Sequence, residues 1–387
     1  YYRYKIIEKI EELESHMAQS KNFVLLSAFV PESKIDEIKN LIEKTSESAL
    51  VYFSEDVAVP SIFKIPTKLK NNFILRPFEV LVKMYSIPDY KEADPTPFFA
   101  ITYMLLFGMM FGDVGQGLVF VIAGNLLARK VGETAKIIQR IGLSSVFFGF
   151  MYGSVFGIED ILPAILLRPM EDINTILIGT ITIGIIMIIV AYFIGFYNLK
   201  ARNDIGNLYF DKNGISGFIF YIAFLLLILN ITVLKSYVGE SISSMLVIIS
   251  VAIMIITSTL MFIKPKLVEK FEKYEHKEEF SPVESGFEMF ETIMGFFSNT
   301  LSFIRVGAFA INHVGLFMAF HALGQMIGTG VGNVIMIVLG NIVILGLEGL
   351  IVFIQAIRLE YYELFSKYFN GEGINYEPLR VELKEEI

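Results

Sequence analysis

The sequence predicts an all-α polytopic membrane domain of about eight helices, with a re-entrant-like first hairpin and two long, tilted C-terminal helices, preceded by a small α+β soluble portion. Three observations carry this. Hydrophobic residues make up 54% of the 387, and the mean hydropathy of +0.59 lies well above that of an ordinary soluble domain. Charge is unevenly spread: residues 1–97 hold 28 charged side chains, whereas most of the rest is long apolar segments joined by short charged loops. The last two apolar runs, 286–327 and 333–368, exceed the ~20 residues that a perpendicular span requires, so they should tilt or project beyond the bilayer. The implied divisions are a polar portion 1–97, a membrane domain 98–370 and a polar tail 371–387.

Composition also excludes several classes. The net charge of −8 and the lack of a basic cluster argue against nucleic acid as a partner. With no cysteine there can be no disulfide, thiolate metal site or cysteine nucleophile. The chain opens on Tyr1 without a signal-peptide pattern, as expected of the C-terminal part of a longer protein.

In chain order, YRYKIIEKIEELESHMAQ places Ile6, Ile7, Ile10, Leu13 and Met17 at helical spacing, as in the end of a long helical arm. FVLLSAFVP and ALVYFSEDV read as short strands around a helical stretch, SKIDEIKNLIEK, with Ser33 as its cap. Six prolines between residues 60 and 97 predict an irregular connector, because each removes a backbone donor and biases its predecessor away from helix. Residues 98–128 are apolar around a central GDVGQG. Each flank is too short to span, so the stretch is either one interrupted span or a hairpin of two half-helices.

Later spans are predicted at 141–157, 173–197, 214–234, 241–263, 286–327 and 333–368. Lysine and arginine are abundant in the loops at 129–140, 198–213 and 264–285 and sparse in the alternate loops. That alternation places the basic loops and the C-terminus in the cytoplasm. A soluble portion with no export signal belongs on the same side, which favours the hairpin and puts both termini in the cytoplasm. Gly108 and Gly112, then Gly149, Gly153 and Gly157, recur every fourth residue and predict close helix packing. Asp113, at the bend, can cap the turn or face an aqueous cavity. GTGVGN at 328–333 has no strand before it and reads as an outer turn.

The last two helices carry the unusual side chains. Arg305 sits deep in the apolar run 286–327, where a cation costs at least ~2.5–3.5 kcal/mol and marks a functional site by default. Glu291 precedes it by 14 residues and Asn312 follows by 7, so at ~100° per residue the three lie within roughly 40° of one face, with His313 one step round. Glu348, Gln355 and Arg358 form a second stripe on the final helix, and Glu360, Glu363 and Lys367 read as a solvated helix end. His313 and His321 lack the i, i+4 spacing of a helical zinc site, and neither a metal nor a cofactor is expected. Arg305 with Glu348 implies an ion pair, a wet path, or an ionised partner on another subunit. A stand-alone ion-coupled transporter would also use such groups, but no inverted repeat is visible and the polar groups crowd into the last two helices.

LSFIRVGAFAINHVGL and LEGLIVFIQAIRLEYYELFSKYF, together with FVPESKIDEI, GMMFGDVGQG and FFGFMYGSVFGIED, resemble the membrane stator subunit of V-type and archaeal or bacterial A-type rotary ATPases, called subunit a or subunit I. The resemblance runs from about residue 20 to 370. It implies a non-catalytic, ion-translocating subunit in a prokaryotic plasma membrane. Its partners would be a rotating proteolipid ring (c or K), peripheral-stalk E and G (or H) subunits, central-stalk subunit d or C, and, indirectly, the A3B3 ATPase sector. Arg305 fits the family's arginine facing the ring carboxylates, and Arg358 fits a second arginine beside it. Glu291 fits an acid on the cytoplasmic access path; Glu348 and His313 fit the outer path. Gln355, Gln116 and Glu360 stand where relatives often have histidine.

Overall fold

The computed structural model describes residues 28–45, 64–158, 161–166, 168–271, 282–328 and 330–378, with isolated positions before residue 28. It divides into two compact units, residues 1–68 with 372–387, and residues 69–371.

In the first unit, strand β1 (Ala18–Gln19) pairs antiparallel with β2 (Val24–Leu25). A tight 3-10 turn, Glu32–Lys34, leads into α1 (Ile35–Thr45). Ser33 lies within that turn rather than capping it; Pro31 holds the cap position without a side-chain bond. Asp36 and Glu37 in the first turn of α1 and Lys44 in its last match the helix dipole. Strand β3 (Pro66–Thr67) pairs in parallel with β4 (Ile374–Asn375). The predicted strand at 49–57 lies outside the described residues, and of the N-terminal helical arm only isolated positions are described.

The second unit begins with the connector, which contains one helix that its proline density argued against. A 3-10 turn at Arg76–Phe78 runs into α2 (Glu79–Tyr85). Pro77 falls in the first turn, where a missing N–H leaves nothing unsatisfied. Next, α3 (Thr96–Met110) is apolar on every face, and Phe99, Tyr103, Leu106 and Phe107 are all fully buried. A helix apolar all round belongs at the centre of its fold. Phe99 stacks on Tyr103 at 5.6 Å between centroids, and Tyr103 meets Phe353 edge-on at 5.8 Å.

The chain turns back at Phe111–Asp113 into α4 (Val114–Val131), then again into α5 (Ala135–Tyr152). Ser144 Oγ donates to the Met104 carbonyl and Tyr152 Oη to that of Met109, so α3 runs parallel to α5. Gly117 meets Val146 and Gly124 meets Gln139, so α4 runs antiparallel to it. Residues 98–128 are therefore a hairpin, closed across its mouth by Phe107 and Phe111 against Phe120. A Cβ on Gly149 would stand 2.3 Å from the Val114 nitrogen and 2.6 Å from the Asp113 carbonyl carbon. Gly149→Ala must push backbone apart and is expected to destabilise by about 1–3 kcal/mol or more, read as a lower unfolding temperature in detergent; an unchanged temperature would show that the contact yields freely. Helix α5 ends five residues before the expected boundary at 157. Gly153 and Gly157, with φ of 76° and 74°, turn the chain instead of packing helices, because that backbone conformation strongly favours glycine.

The remaining helices are α6 (Ile173–Ala201), α7 (Ile205–Phe210), α8 (Ile215–Leu229, prolonged by a π turn at Asn230–Leu234 and a last helical turn at Lys235–Val238), α9 (Glu240–Phe262), α10 (Lys264–Phe271), α11 (Pro282–Ser302), α12 (Ile304–Ile327), α13 (Gly330–Val343), α14 (Gly349–Leu359) and α15 (Phe365–Tyr368). Wide π turns at Ile344–Glu348 and Glu360–Leu364 join α13, α14 and α15, giving one apolar run, Gly330–Tyr368; α11 and α12 form another, Pro282–Ile327, interrupted at Phe303. Six runs are long and apolar enough to cross a membrane. Counting α4 and α5 of the first run separately and adding α3 gives eight apolar rods among the described residues. Gly328 closes α12 with φ of 73°, so the turn is shorter than GTGVGN, and Gly330 already begins α13.

Candidate functional site

Helices α12 and α13–α15 pack antiparallel, and two polar clusters lie along their seam. In the first, Glu348 closes a π turn, a local widening often found at functional sites. Its Oε2 lies 2.9 Å from His313 Nδ1, and its Oε1 accepts from Asn312 Nδ2 at 3.4 Å. Glu348 is 3% exposed and His313 2%. The imidazole packs on Phe111 of the hairpin bend at 4.6 Å, and its Nε2 is buried without a partner. Nearby on α4, Gln116 Nε2 donates to Asn341 Oδ1 at 2.7 Å while its Oε1 has no donor. The hairpin thus sets an aromatic wall against the imidazole and bonds the final helical run through its amide to Asn341.

Asp113 is occupied differently. It caps α4 through Gln116 N at 2.9 Å, and accepts from Ser154 Oγ at 2.7 Å, Phe156 N at 2.9 Å and Gly157 N at 2.7 Å. The fully buried carboxylate ties the bend of the hairpin to the turn that follows α5.

The second cluster surrounds Arg305, just past the interruption at Phe303. Its Nη1 is buried without a partner, and the charges acting on it are Arg358 and Glu363. Glu363 stands beside Ser302. Glu360 is fully buried; the neighbouring Thr102 hydroxyl donates to the Phe98 carbonyl, leaving both oxygens of Glu360 without a donor. Lys367 is also buried, its Nζ 5.4 Å from the Tyr192 ring centre and 4.9 Å from that of Phe296. The expected solvated end at Glu360, Glu363 and Lys367 is therefore an interior polar layer. Continued apolar sequence beyond it, through Phe365, Tyr368 and Phe369, was the available signal.

Arg358 is exposed, Gln355 is half-buried with an unpartnered Oε1, and Glu291 is exposed on α11. The structure thus brings Asn312, His313 and Glu348 together, and Arg305 within reach of Arg358. It leaves Glu291 apart and gives Asp113 to the bend. Leu347, Leu350, Ile351 and Ile354 leave a large apolar strip exposed on the last helix.

The segments holding these clusters coincide with a family match. The family described as the V-type ATPase 116kDa subunit family matches residues 5–160 and 266–381, well over half of the chain. The chain belongs to the V-type ATPase 116kDa subunit family. Matched segments contain the whole α3–α5 hairpin region and both C-terminal helical runs; α6–α9 lie between them. Relatives of this family chain include A-type ATP synthase subunit I of Methanocaldococcus jannaschii, 24% identical over 410 residues, covering 95% of this chain and 56% of that protein. Subunit I of Pyrococcus horikoshii is 28% identical over 388 residues, covering 94% and 55%. That of Archaeoglobus fulgidus is 29% identical over 232 residues, covering 52% and 33%. The chain spans about half the length of the first two relatives.

Proposed function

We propose that this chain is the membrane stator of a rotary A- or V-type ATPase, and that it offers ions two offset half-channels separated by Arg305. One observation carries the reading. A half-buried cation whose Nη1 is buried without a partner shares α12 with the imidazole of a buried acid–imidazole pair, and the eight residues from Arg305 to His313 separate them by about 12 Å along the axis.

A carboxylate carried on a rotating ring must be neutral to face lipid, because a bare anion in hydrocarbon is too costly. Opposite Arg305 the ionised form is favoured by direct attraction, so the carboxylate releases its proton or sodium ion there. The outer path runs past Asn312, His313 and Glu348 towards Gln116 and Asn341. The inner path runs past Glu291, with Glu363 and Ser302 nearer the arginine. Arg305 closes the gap between them to cations, so an ion crosses only by riding the ring. Arg358 and the apolar strip of the last helix form the ring-facing side. ATP is made or hydrolysed on other subunits, so the chain itself is not catalytic. The remaining partners are the proteolipid ring, the peripheral-stalk E and G (or H) subunits, central-stalk subunit d or C and the A3B3 sector. The setting is a prokaryotic plasma membrane with both termini cytoplasmic.

Glu348→Gln keeps the shape of the side chain but removes the charge opposite His313. Ion transport by the full-length protein in its native complex is expected to slow by about tenfold or more while assembly is retained; an unchanged rate takes Glu348 off the path. Failure of the full-length protein to copurify with a proteolipid ring would sink the stator reading itself.

A further inference from the structure

We propose that the space between α8, α9 and α11 is the seat of one retained phospholipid, with one acyl chain in an apolar cavity and its phosphate at Lys212. The cavity holds about 470 Å³ and is lined by Phe220, Leu227, Val251, Met254, Met289 and Ile293, among others. That volume falls within the range of roughly 300–1,000 Å³ typical of ligand sites. It exists because α9 is the least integrated span: only 11% of its apolar window is buried, against 28–39% for the others.

The character of the opening identifies the occupant. Met289 is shared with a polar depression lined by Asp211, Lys212, Lys264, Ser285, Glu288 and Thr292. Lys264 is engaged by Asp211 at 2.5 Å, so among the described residues lining the depression Lys212 is the cation left for a phosphate, and Lys367 adds its field from beyond. Ser285 and Thr292 bring hydroxyls to the same place, and Glu288 suits an amine or hydroxyl of the headgroup. An apolar cavity that passes into a mouth of mixed charge matches an amphiphile end to end. A protein helix does not fit: ten residues, about 15 Å long and 10 Å across, need more than about twice this volume. The mouth lies where α8 begins and α9 ends, beside the basic loops 198–213 and 264–285, which is the side that favours phosphate.

The test is native mass spectrometry of the full-length protein, purified from its own membranes and washed until annular lipid is gone. Wild type is expected to keep one phospholipid adduct per chain. The adduct is expected to vanish when Val251→Phe and Ser258→Phe together fill the cavity, and to fall at least threefold with Lys212→Gln. No adduct on the wild type, or equal retention by the filled variant, overturns the proposal. Should the double variant fail to fold, a phospholipid with a diazirine in its acyl chain decides on the wild type. Labelling concentrated at Met254, Met289 and Ile293 supports the site, and labelling spread evenly along the lipid-facing helices means annular lipid only.

Discussion

Arg305→Gln is expected to lower ATP-coupled ion transport by at least about 100-fold, the scale lost when a preorganised charge at a reacting site is removed, while the complex still assembles. The two halves of that result have different causes. On the proposed stator mechanism, glutamine is polar and of similar reach but carries no charge, so a ring carboxylate opposite it would lose the attraction that favours its ionised form and would keep its ion. Folding gains from the same change, because the substitution removes a half-buried cation whose Nη1 has no partner in the chain, a group costing at least ~2.5–3.5 kcal/mol in a bilayer. Arg358 belongs to another helix, α14, where it is exposed, and it remains in place in this variant. The informative assay measures proton or sodium uptake and unfolding temperature on one preparation. Transport at the wild-type rate would remove Arg305 from the mechanism.

Asp113→Ala is expected to be the most damaging single change to stability. Four donors lose their acceptor at once: the amides of Gln116, Phe156 and Gly157, and the Ser154 hydroxyl. Each buried orphan costs about 1–3 kcal/mol, and partial entry of water brings the total to at least about 4 kcal/mol, a loss seen only when a buried network fails. Asp113→Asn should be milder, because its remaining carbonyl oxygen can still accept while its amide opposes the Gly157 N–H. Thermal unfolding in detergent, with the order wild type, Asn, Ala, checks this; equal unfolding temperatures would show that the bend is held by helix packing instead.

Much of the fold was legible because spans are written in composition. Length and apolarity located the rods, and the short flanks of GDVGQG left a broken span or a hairpin, between which the alternation of lysine and arginine in the loops favoured the hairpin. Arg305 and Glu348 were legible because a charge inside an apolar run needs no partner to be conspicuous. Partners were another matter. The contact of His313 with both Glu348 and Phe111 depends on where three helices cross, and periodicity along one helix does not contain that. The four donors of Asp113 come partly from a turn some forty residues away, and Ser154 and Phe156 look unremarkable in the sequence. Glu360, Glu363 and Lys367 misled because a charged triplet near a helix end resembles a wet terminus until Tyr192, Phe296 and Thr102 are seen around it.

The π turns at Ile344–Glu348 and Glu360–Leu364 bear on how the final helix is phased. Each holds one residue more than an α turn would, and so rotates everything after it by about 100° relative to an unbroken helix. Glu348 and Glu363 both fall inside these insertions, whereas Arg358 lies on the regular stretch between them. The helix therefore works as three segments with independent azimuths. One segment can turn its acid towards α12 and the core while the next presents its arginine outward, a combination that a single uniform screw could not offer with the same spacing.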